Sequence, residues 1–474
     1  MKLAFCVLLL AWSVQPVWAE DDLRAVLKEL SAQVKELKSQ VRASNARVDQ
    51  LEDELARMRA NPQQAAAPAI AATTAAPAAT SGGNFAADAA AKADSKPAVT
   101  VGDVKGTFKI PGTATSLGVG GFVKVDALLA NVSMGRERMG DQQLIYSQIP
   151  VGSIHGEHSQ TTFHAKESRV WLRSFTPTSW GDVNTYVEVD FFGDAATYTY
   201  TPRLRHAYGS IGNLLAGQTW TTFLNTAVLP DHLDPGGSAG SVSVWRQPLL
   251  RWTQPFSVAG TPLEIQAAVE SPRSRLRGGA VADADAFVAP NADRYPDLVA
   301  RLNYNPDWGN LSLAALGRQI RNTDPLTDRE EGEWGGAVSL AGKISTIGMD
   351  NVRFMLNYGN ALGRYAAINS FEDAALSSGG DIQLVNTYSG LFSYQHFWSQ
   401  TWRSTATYGF AQADQPPFVD ANLTHQVQSV HANLLWSPVA QATFGMEYVY
   451  ANRAAVDGRD GDLHRVEFSA RYNF

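Results

Sequence analysis

The sequence predicts an all-β transmembrane barrel of about 16 antiparallel strands, preceded by an N-terminal α-helical coiled coil. Three observations predict this fold class. Apolar and polar residues alternate with a period of two from about residue 118 onward. The connections between the alternating segments are short and long in turn, as in even-stranded outer-membrane barrels. The sequence ends in Tyr472-Asn473-Phe474, and a final strand that ends in Phe is typical of bacterial outer-membrane proteins.

The composition excludes several other classes of protein. The 474 residues are 45% hydrophobic and 18% charged, with a formal net charge of −7. Beyond the N-terminus there is no run of about 18 apolar residues, so a helical membrane protein is excluded. A sequence pI of about 5.7 gives no basic footprint for nucleic acid. A transmembrane barrel is compatible with these figures because its strands expose apolar residues only at every second position.

Residues 1–19 have the features of a secretory signal peptide. Lys2 supplies the positive start, Leu3 to Trp12 form the apolar stretch, and Val17-Trp18-Ala19 matches a small-x-small cleavage site. The only cysteine, Cys6, lies inside this segment. The mature chain is therefore predicted to have neither disulfides nor a thiol catalyst.

Residues 20–60 are predicted to form a coiled-coil stalk. Apolar residues recur at alternating steps of three and four, which is the 3.5-residue period of a coiled coil rather than of a lone amphipathic helix. One column contains Leu27, Val34, Val41, Val48 and Leu55, and the other contains Leu23, Leu30, Leu37, Leu51 and Met58. Val in the first column (heptad position a) with Leu in the second column (heptad position d) nominally favours a two-stranded coil.

Residues 61–105 are rich in Ala and Pro, as in Ala65-Ala66-Ala67-Pro68, and contain little that could be buried. This composition predicts a flexible, partly extended linker. Stalk and linker together could reach well away from the remainder of the chain, so contact of the stalk with peptidoglycan is one possible role.

Residues 106–474 are predicted to form the outer-membrane β-barrel. In one segment Val183, Thr185, Val187 and Val189 alternate with polar residues such as Glu188. About sixteen such segments begin near residues 120, 163, 182, 202, 213, 241, 262, 297, 309, 332, 350, 381, 400, 424, 441 and 463. The long connections are expected at about 132–162, 194–201, 220–240, 271–296, 320–331, 360–380, 412–423 and 452–462.

Aromatic residues favour a membrane barrel over a soluble β-sandwich, which also contains many amphipathic strands. Trp180, Trp308, Phe397, Trp398 and Trp436 lie where strands meet turns. An interfacial girdle requires aromatic side chains at these positions.

Arginine dominates the basic residues of the predicted barrel: 23 Arg against three Lys follow residue 110. If the apolar face of each strand meets lipid, the lumen is lined by Arg169, Arg173, Arg203, Arg205, Arg251, Arg301, Arg318 and Arg353. A guanidinium binds a carboxylate through two parallel hydrogen bonds, so such a ladder would favour small carboxylate anions. Alternatively, inward carboxylates could neutralise about half of these arginines and leave weak selectivity; these are Glu188, Asp190, Glu264, Glu270 and Glu447.

The connection at residues 220–240 is the predicted constriction. It contains Leu224, Leu229 and Leu233, which need burial, and it presents Asp231, His232 and Asp234 before a flexible glycine pair. If this loop folds inward, its two aspartates would oppose the arginine wall and narrow the pore.

Long motifs in this region resemble the DcaP-like family of trimeric outer-membrane porins. They are Gly181-Asp182-Val183-Asn184-Thr185-Tyr186-Val187-Glu188-Val189-Asp190-Phe191-Phe192-Gly193, Pro202-Arg203-Leu204-Arg205-His206-Ala207-Tyr208-Gly209, Leu215-Ala216-Gly217-Gln218-Thr219-Trp220-Thr221-Thr222-Phe223 and Arg246-Gln247-Pro248-Leu249-Leu250-Arg251-Trp252. The resemblance covers most of the chain. It implies a sixteen-stranded homotrimer, an Arg-lined constriction and passage of dicarboxylic acids. The implied trimer conflicts with the two-stranded preference of the stalk.

Two further patterns favour neither catalysis nor metal binding. Gly236-Gly237-Ser238-Ala239-Gly240 matches the G-x-S-x-G motif of serine hydrolases, but no helix is expected after the serine. His155 and His158, with His164 nearby, could bind a metal in the first long loop, but solvated loop histidines are the more ordinary interpretation. We expect no enzyme activity and no cofactor.

The sequence therefore predicts a porin in the bacterial outer membrane for passive uptake of small anionic solutes, with its stalk in the periplasm. The predicted partners are small anionic solutes, membrane lipid, two further copies of the chain and possibly peptidoglycan, but no nucleic acid. Two alternatives remain open. The barrel could be a weakly selective general porin, or it could be an anchor that tethers the outer membrane to peptidoglycan through the stalk.

Overall fold

The structure of the chain is a computed structural model, and it describes residues 100–132, 142–152, 158–194, 199–241, 246–278, 293–323, 329–366 and 370–474. The predicted signal peptide, the coiled-coil stalk and most of the Ala/Pro-rich linker lie outside the described residues. No helix among the described residues is long and apolar enough to cross a membrane.

Sixteen antiparallel strands form a closed barrel, which confirms the predicted fold class for this part of the chain. In chain order the strands are β1 (Ser116–Val132), β2 (His158–His164 and Arg169–Thr178), β3 (Gly181–Asp190), β4 (Arg203–Ile211), β5 (Leu214–Trp220), β6 (Arg246–Val258), β7 (Thr261–Glu270), β8 (Asp297–Tyr304), β9 (Gly309–Thr323), β10 (Glu330–Ser345), β11 (Asn351–Gly359), β12 (Asn386–Phe397), β13 (Trp402–Asp414), β14 (Thr424–Val439), β15 (Ala442–Ala455) and β16 (Asp460–Asn473).

Each strand pairs with the next one along the chain, and the last pairs with the first. The closing register runs from Phe122 opposite Asn473 to Val132 opposite Leu463. β2 is interrupted at residues 165–168, and its two segments pair with different parts of β1. Closure leaves no unpaired strand edge, which is what a sheet in a hydrocarbon environment requires.

Side chains alternate between the two faces of the wall as the sequence predicts. In β11, Leu356 and Tyr358 are 50% and 60% exposed on the outer face, whereas Met355 and Asn357 are buried on the inner face. The outer face therefore meets lipid with apolar side chains, and the inner face contains the polar ones. This alternation explains how a chain of modest hydrophobicity can cross a membrane.

The connections alternate in length less strictly than predicted. Turns at the short-turn end, such as 212–213 and 259–260, have only two residues, and the longest loops lie at the opposite end. However, the connection predicted at 452–462 is a hairpin of only four residues, 456–459. It is tight because Asp457 accepts a hydrogen bond from the Arg459 guanidinium at 2.7 Å, and Gly458 adopts a φ of +82°. The connection predicted at 320–331 is also shorter, at 324–329.

The hydrophobic core lies inside the barrel, between the wall and three long connections that fold inward. Leu144, Tyr146 and Ile149 come from the β1–β2 connection, and Phe223 and Leu224 come from the β5–β6 connection. In the third connection, between β11 and β12, Ala374–Leu376 pairs in parallel with Leu276–Gly278 and antiparallel with Ile382–Leu384. The lumen is therefore narrower than the strand count alone would give.

Candidate functional site

The β5–β6 connection folds into the barrel along residues 221–241, which we call the constriction loop. It contains one 3₁₀ turn, Thr226–Val228, whose start is capped by the Asn225 side chain accepting a hydrogen bond from the Ala227 amide at 3.0 Å. Leu224 and Leu233 are buried, and Leu229 packs against the same apolar cluster. The prediction that these leucines need burial inside the barrel is confirmed.

The aspartates of the constriction loop are bound to the wall on which the loop lies. Asp231 lies 3.1 Å from Arg403 Nε and 3.6 Å from Arg353 Nη1, and Asp234 lies 2.5 Å from Arg465 Nη1. Asp234 also accepts a hydrogen bond from the Leu144 amide, so the β1–β2 connection is attached to the same point. These aspartates therefore attach the loop to β11, β13 and β16, the strands of the three arginines.

Two opposing effects act on the pKa of the Asp231 carboxyl. Its burial favours the neutral form, but the nearby Arg353 and Arg403 guanidiniums outweigh that effect and lower the pKa below its ordinary value. Asp231 is therefore charged at neutral pH and holds the loop electrostatically.

On its other side the constriction loop faces a cavity of about 560 Å³, which we call the eyelet. Four arginines from β2, β4 and β6 contribute to its lining: Arg169, Arg203, Arg205 and Arg246. Loop residues from Leu229 to Ser241 contribute the opposite lining. The predicted arrangement of a loop facing an arginine wall is thus present, although the loop aspartates also bind arginines behind them.

A β-bulge lies in β4 beside the eyelet. The register between β3 and β4 shifts between Glu188 and Val189, so that Arg205 is the extra residue of β4. Leu204 is exposed on the outer face, whereas Arg203 and Arg205 on either side of it both line the eyelet. His206 follows and donates to or accepts from the Thr219 hydroxyl at 3.1 Å.

Two carboxylates of β3 partly neutralise these arginines. Asp190 accepts hydrogen bonds from Arg203 Nε at 2.9 Å, Arg203 Nη2 at 2.6 Å and Arg205 Nη1 at 2.8 Å. Glu188 accepts from Arg205 Nε at 2.5 Å and lies 3.7 Å from Arg169 Nη1. These ion pairs orient the guanidinium groups rigidly along the wall.

Arg246 contributes to the eyelet without a carboxylate partner. Its guanidinium carbon stacks over the Trp220 ring at 4.5 Å from the centroid, and among the described residues no carboxylate lies within 4.0 Å of it. Sequence alternation missed this residue because Arg246 has the same parity as the outward Pro248 and Leu250. It reaches the eyelet because β6 begins at this position, at the rim of the wall.

The remaining predicted pore arginines are dispersed. Arg173 donates to the Lys105 carbonyl at 2.9 Å, at the short-turn end of the barrel. Arg251 lies on the inner face without a carboxylate within 4.0 Å among the described residues, and Arg301 donates to the Leu224 carbonyl. Neither of these two residues lines the eyelet.

Two of the predicted pore arginines are buried and do not line the eyelet. Arg318 is fully buried and lies 2.7 Å from Asp373 and 3.4 Å from Asp297. Arg353 is 5% exposed and donates to the Leu229 carbonyl and to Gln395 Oε1. Their positions differ from the prediction because inward-folding connections cover the parts of the wall from which they project.

Neutralisation by the other inward carboxylates does not occur among the described residues. Glu270 accepts from the Thr221 hydroxyl and the Thr222 amide, each at 2.7 Å. Glu264 accepts from Asn303 at 2.8 Å, and Glu447 accepts from Asn433 at 3.0 Å. These three glutamates bind neutral donors or lie near histidines, so of the five predicted carboxylates only Glu188 and Asp190 form ion pairs with arginines among the described residues.

The patterns set aside in the sequence have clear positions. The stretch from Gly236 to Gly240 lies in the constriction loop, Ser238 is buried, and no described helix follows it. His155 lies outside the described residues. His164 is buried, with Nδ1 3.8 Å from Asp126, so the interpretation of it as a solvated histidine is wrong.

Comparison with known proteins places this geometry among outer-membrane channels. A family model described as "DcaP outer membrane protein" matches residues 121–474. The outer membrane channel DcaP of Acinetobacter baumannii has a similar structure, with a TM-score of 0.64 and 23% identity over 77% of this chain and 99% of that one. This likeness confirms the barrel fold.

Weaker structural likenesses involve other channel proteins. The anion-selective porin from Comamonas acidovorans has a TM-score of 0.46 and 11% identity over 76% of this chain and 100% of that one. OmpT of Vibrio cholerae has a TM-score of 0.45 and 12% identity over 76% of this chain and 98% of that one. No curated protein sequence matches the chain.

Proposed function

The chain belongs to the DcaP outer membrane protein family, and from this premise we propose that its outer-membrane channel prefers small anions, with dicarboxylates as the favoured solutes. The observation that carries the proposal is the eyelet, where Arg169, Arg203, Arg205 and Arg246 lie in one cavity. A solute that passes must displace water from a site with an excess of guanidinium groups. Such a site attracts anions and repels cations.

Charge at the eyelet supports the anion preference. The lining contains these four arginines and Arg273, whereas three carboxylates bind arginines of the lining: Glu188 and Asp190 of β3, and Glu167, which lies 3.1 Å from Arg169. The loop aspartates do not reverse the sign of the field, because Asp231 and Asp234 each bind an arginine of the wall behind the loop. A weakly selective porin would require as many carboxylates as arginines at the eyelet, whereas the carboxylates that bind these arginines are fewer than the arginines themselves.

The chemistry of the arginines supports a carboxylate solute. A guanidinium offers paired donors that match the two oxygens of a carboxylate, whereas a halide has only one acceptor atom. Arg246 has its donors available, and the Arg203 side chain is 33% exposed to the cavity while bound to Asp190. A dicarboxylate could therefore contact two parts of the eyelet at once, which a monocarboxylate could not.

The test is current blockage in planar bilayers. We expect succinate, used as the probe dicarboxylate, to block chloride current through the wild-type channel. Replacement of Arg203, Arg205 and Arg251 by Ala should weaken this block. The change removes two guanidinium groups from the eyelet and a third, that of Arg251, from the inner face of the wall outside it. If the block and the ion selectivity of the triple variant equal those of the wild type, the arginine account is wrong.

We further propose that the channel is a homotrimer whose N-terminal stalk lies in the periplasm. The support is the resemblance of the motifs between residues 181 and 252 to a trimeric porin family and the heptad pattern of residues 20–60. A structural anchor is the second candidate function, and the same heptad pattern favours it, because the stalk could bind peptidoglycan independently of any conduction.

A further inference from the structure

We propose that His232, His431 and Glu447 bind one divalent cation of the zinc class, which clamps the constriction loop to the barrel wall. His232 belongs to the loop, His431 to β14 and Glu447 to β15. One potential ligand atom from each residue lies within 4.8 Å of the other two. This inference concerns how the loop is held and does not depend on which solute the channel passes.

The distances fit a tetrahedral site. His431 Nδ1 lies 3.3 Å from Glu447 Oε1, and His232 Nδ1 lies 3.5 Å from Glu447 Oε2. Zinc at about 2.0–2.2 Å from each ligand separates neighbouring tetrahedral ligand atoms by about 3.3–3.6 Å. Two histidines and one glutamate are also a known zinc ligand set with an open fourth position, which water could occupy.

The His232 imidazole supplies an independent observation. Its side chain is 7% exposed; Nε2 has no hydrogen-bond partner among the described residues, and Nδ1 has only the 3.5 Å contact with Glu447. A buried polar group without a partner is costly, so it normally indicates a missing ligand. His232 also contributes to the lining of the eyelet, which gives an ion a path from the aqueous lumen.

The surroundings of His431 orient its Nδ1 lone pair toward the proposed ion. The shortest contact of the Tyr146 hydroxyl is with the Gly237 carbonyl at 2.6 Å, and when it donates there its oxygen can accept from His431 Nε2, which lies 3.3 Å away. If Nε2 carries the proton of a neutral imidazole, Nδ1 points a lone pair at the Glu447 carboxylate. Two acceptors at 3.3 Å repel each other, and a cation between them removes the repulsion.

Glu447 is held in place by a second set of contacts. Its Oε2 accepts from the Leu233 amide at 3.1 Å and from Asn433 Nδ2 at 3.0 Å. Hydrogen bonds of this kind orient a ligating carboxylate and increase metal affinity. The alternative occupant of the same space is a proton that makes each imidazole cationic, and the test below distinguishes proton from metal.

The experiment is zinc titration of the full-length, detergent-solubilised protein after removal of metals with a chelator. We expect isothermal titration calorimetry to show one Zn²⁺ per chain, and Co²⁺ to give the visible absorption of a tetrahedral site. His232→Ala should abolish this binding, and because it alters only a loop residue it should leave the barrel folded by circular dichroism. His431→Ala and Glu447→Gln should abolish the binding as well.

Two further variants make the result specific. Tyr146→Phe removes the hydroxyl that contacts His431 Nε2 and the Gly237 carbonyl and leaves all three ligands in place, so it should weaken Zn²⁺ binding by about 10-fold to 100-fold, as loss of an orienting contact does. His464→Ala removes a half-exposed histidine that lies near Asp462, and it should leave binding unchanged. Absence of stoichiometric binding in the wild type, or equal binding by wild type and His232→Ala, would overturn the proposal.

Discussion

At the scale of single residues, the eyelet depends on arginines that differ in how far they are neutralised. Arg203 and Arg205 share Asp190, so their donors are partly occupied by the wall itself. Arg246 stacks on Trp220 and has no carboxylate within 4.0 Å among the described residues. We therefore expect Arg246 to contribute more to solute binding than its position at the rim suggests.

Replacement of Arg246 by Gln tests this expectation. The variant retains a polar side chain but loses the charge and the paired donors, so the block of chloride current by succinate should weaken by about tenfold, equivalent to about 1.4 kcal/mol. Single-channel recording in planar bilayers measures the effect. The matched control is Arg173→Gln at the short-turn end of the barrel. Because Arg173 does not line the eyelet, the block by succinate should stay within about twofold of the wild type. Equal effects of the two substitutions would contradict the role of Arg246.

At the scale of elements, the constriction loop folds into the lumen, and we propose that its position sets the pore size. It is attached through Asp231 and Asp234 to arginines on β11, β13 and β16, and its leucines are buried in the core inside the barrel. Removal of one partner from a buried ion pair leaves the other charge buried and uncompensated, which costs about 3–5 kcal/mol. The loop should therefore be sensitive to a single substitution at Asp234.

We expect Asp234→Asn to loosen the constriction loop, because Arg465 and the Leu144 amide lose a charged acceptor. The open-state conductance should rise and the current should fluctuate more often than in the wild type. Asp457→Asn serves as the control, since Asp457 forms its ion pair with Arg459 in an exposed hairpin. A conductance trace of Asp234→Asn that matches both the wild type and this control would show that Asp234 does not hold the loop.

Sequence alternation was sufficient to predict the strands of the barrel but not the connections that fold inside it. The period of two gave sixteen strands and the inner position of Arg203, because lipid contact imposes the same parity on every strand. It also put Arg205 on the inner face, where the structure has it, but it could not place Arg246, which lies where its strand begins. It also missed the inward fold of residues 142–152. The large apolar side chains of Leu144 and Tyr146, which are buried in the structure, were the signal that could have indicated this fold.

At the scale of the whole molecule, the described part of the chain is one closed barrel whose lumen is narrowed by its own connections. Three inward-folding segments form the core, so the wall and the constriction depend on each other for burial. The net charge of −7 is compatible with an anion-preferring pore, because the local charge at the eyelet is set by the few arginines that lie together in its lining.

Deletion of residues 20–105 separates the two candidate functions of the whole protein. If the chain is primarily a channel, the truncated barrel should conduct with unchanged single-channel conductance, because no eyelet residue is removed. If the barrel is primarily an anchor, the truncation should abolish association with peptidoglycan and weaken the envelope. Bilayer recording and a peptidoglycan pull-down of the same preparation measure both outcomes, and loss of conductance in a correctly folded truncation would contradict the channel account.

The most direct test of the central claim is the reversal potential of the wild-type channel in a planar bilayer under a potassium chloride gradient. Because Arg169, Arg203, Arg205 and Arg246 line the eyelet, we predict a reversal potential whose sign indicates a preference for chloride over potassium. Addition of succinate should shift this potential and reduce the current. A reversal potential of zero, or one of the sign for potassium preference, would contradict the account.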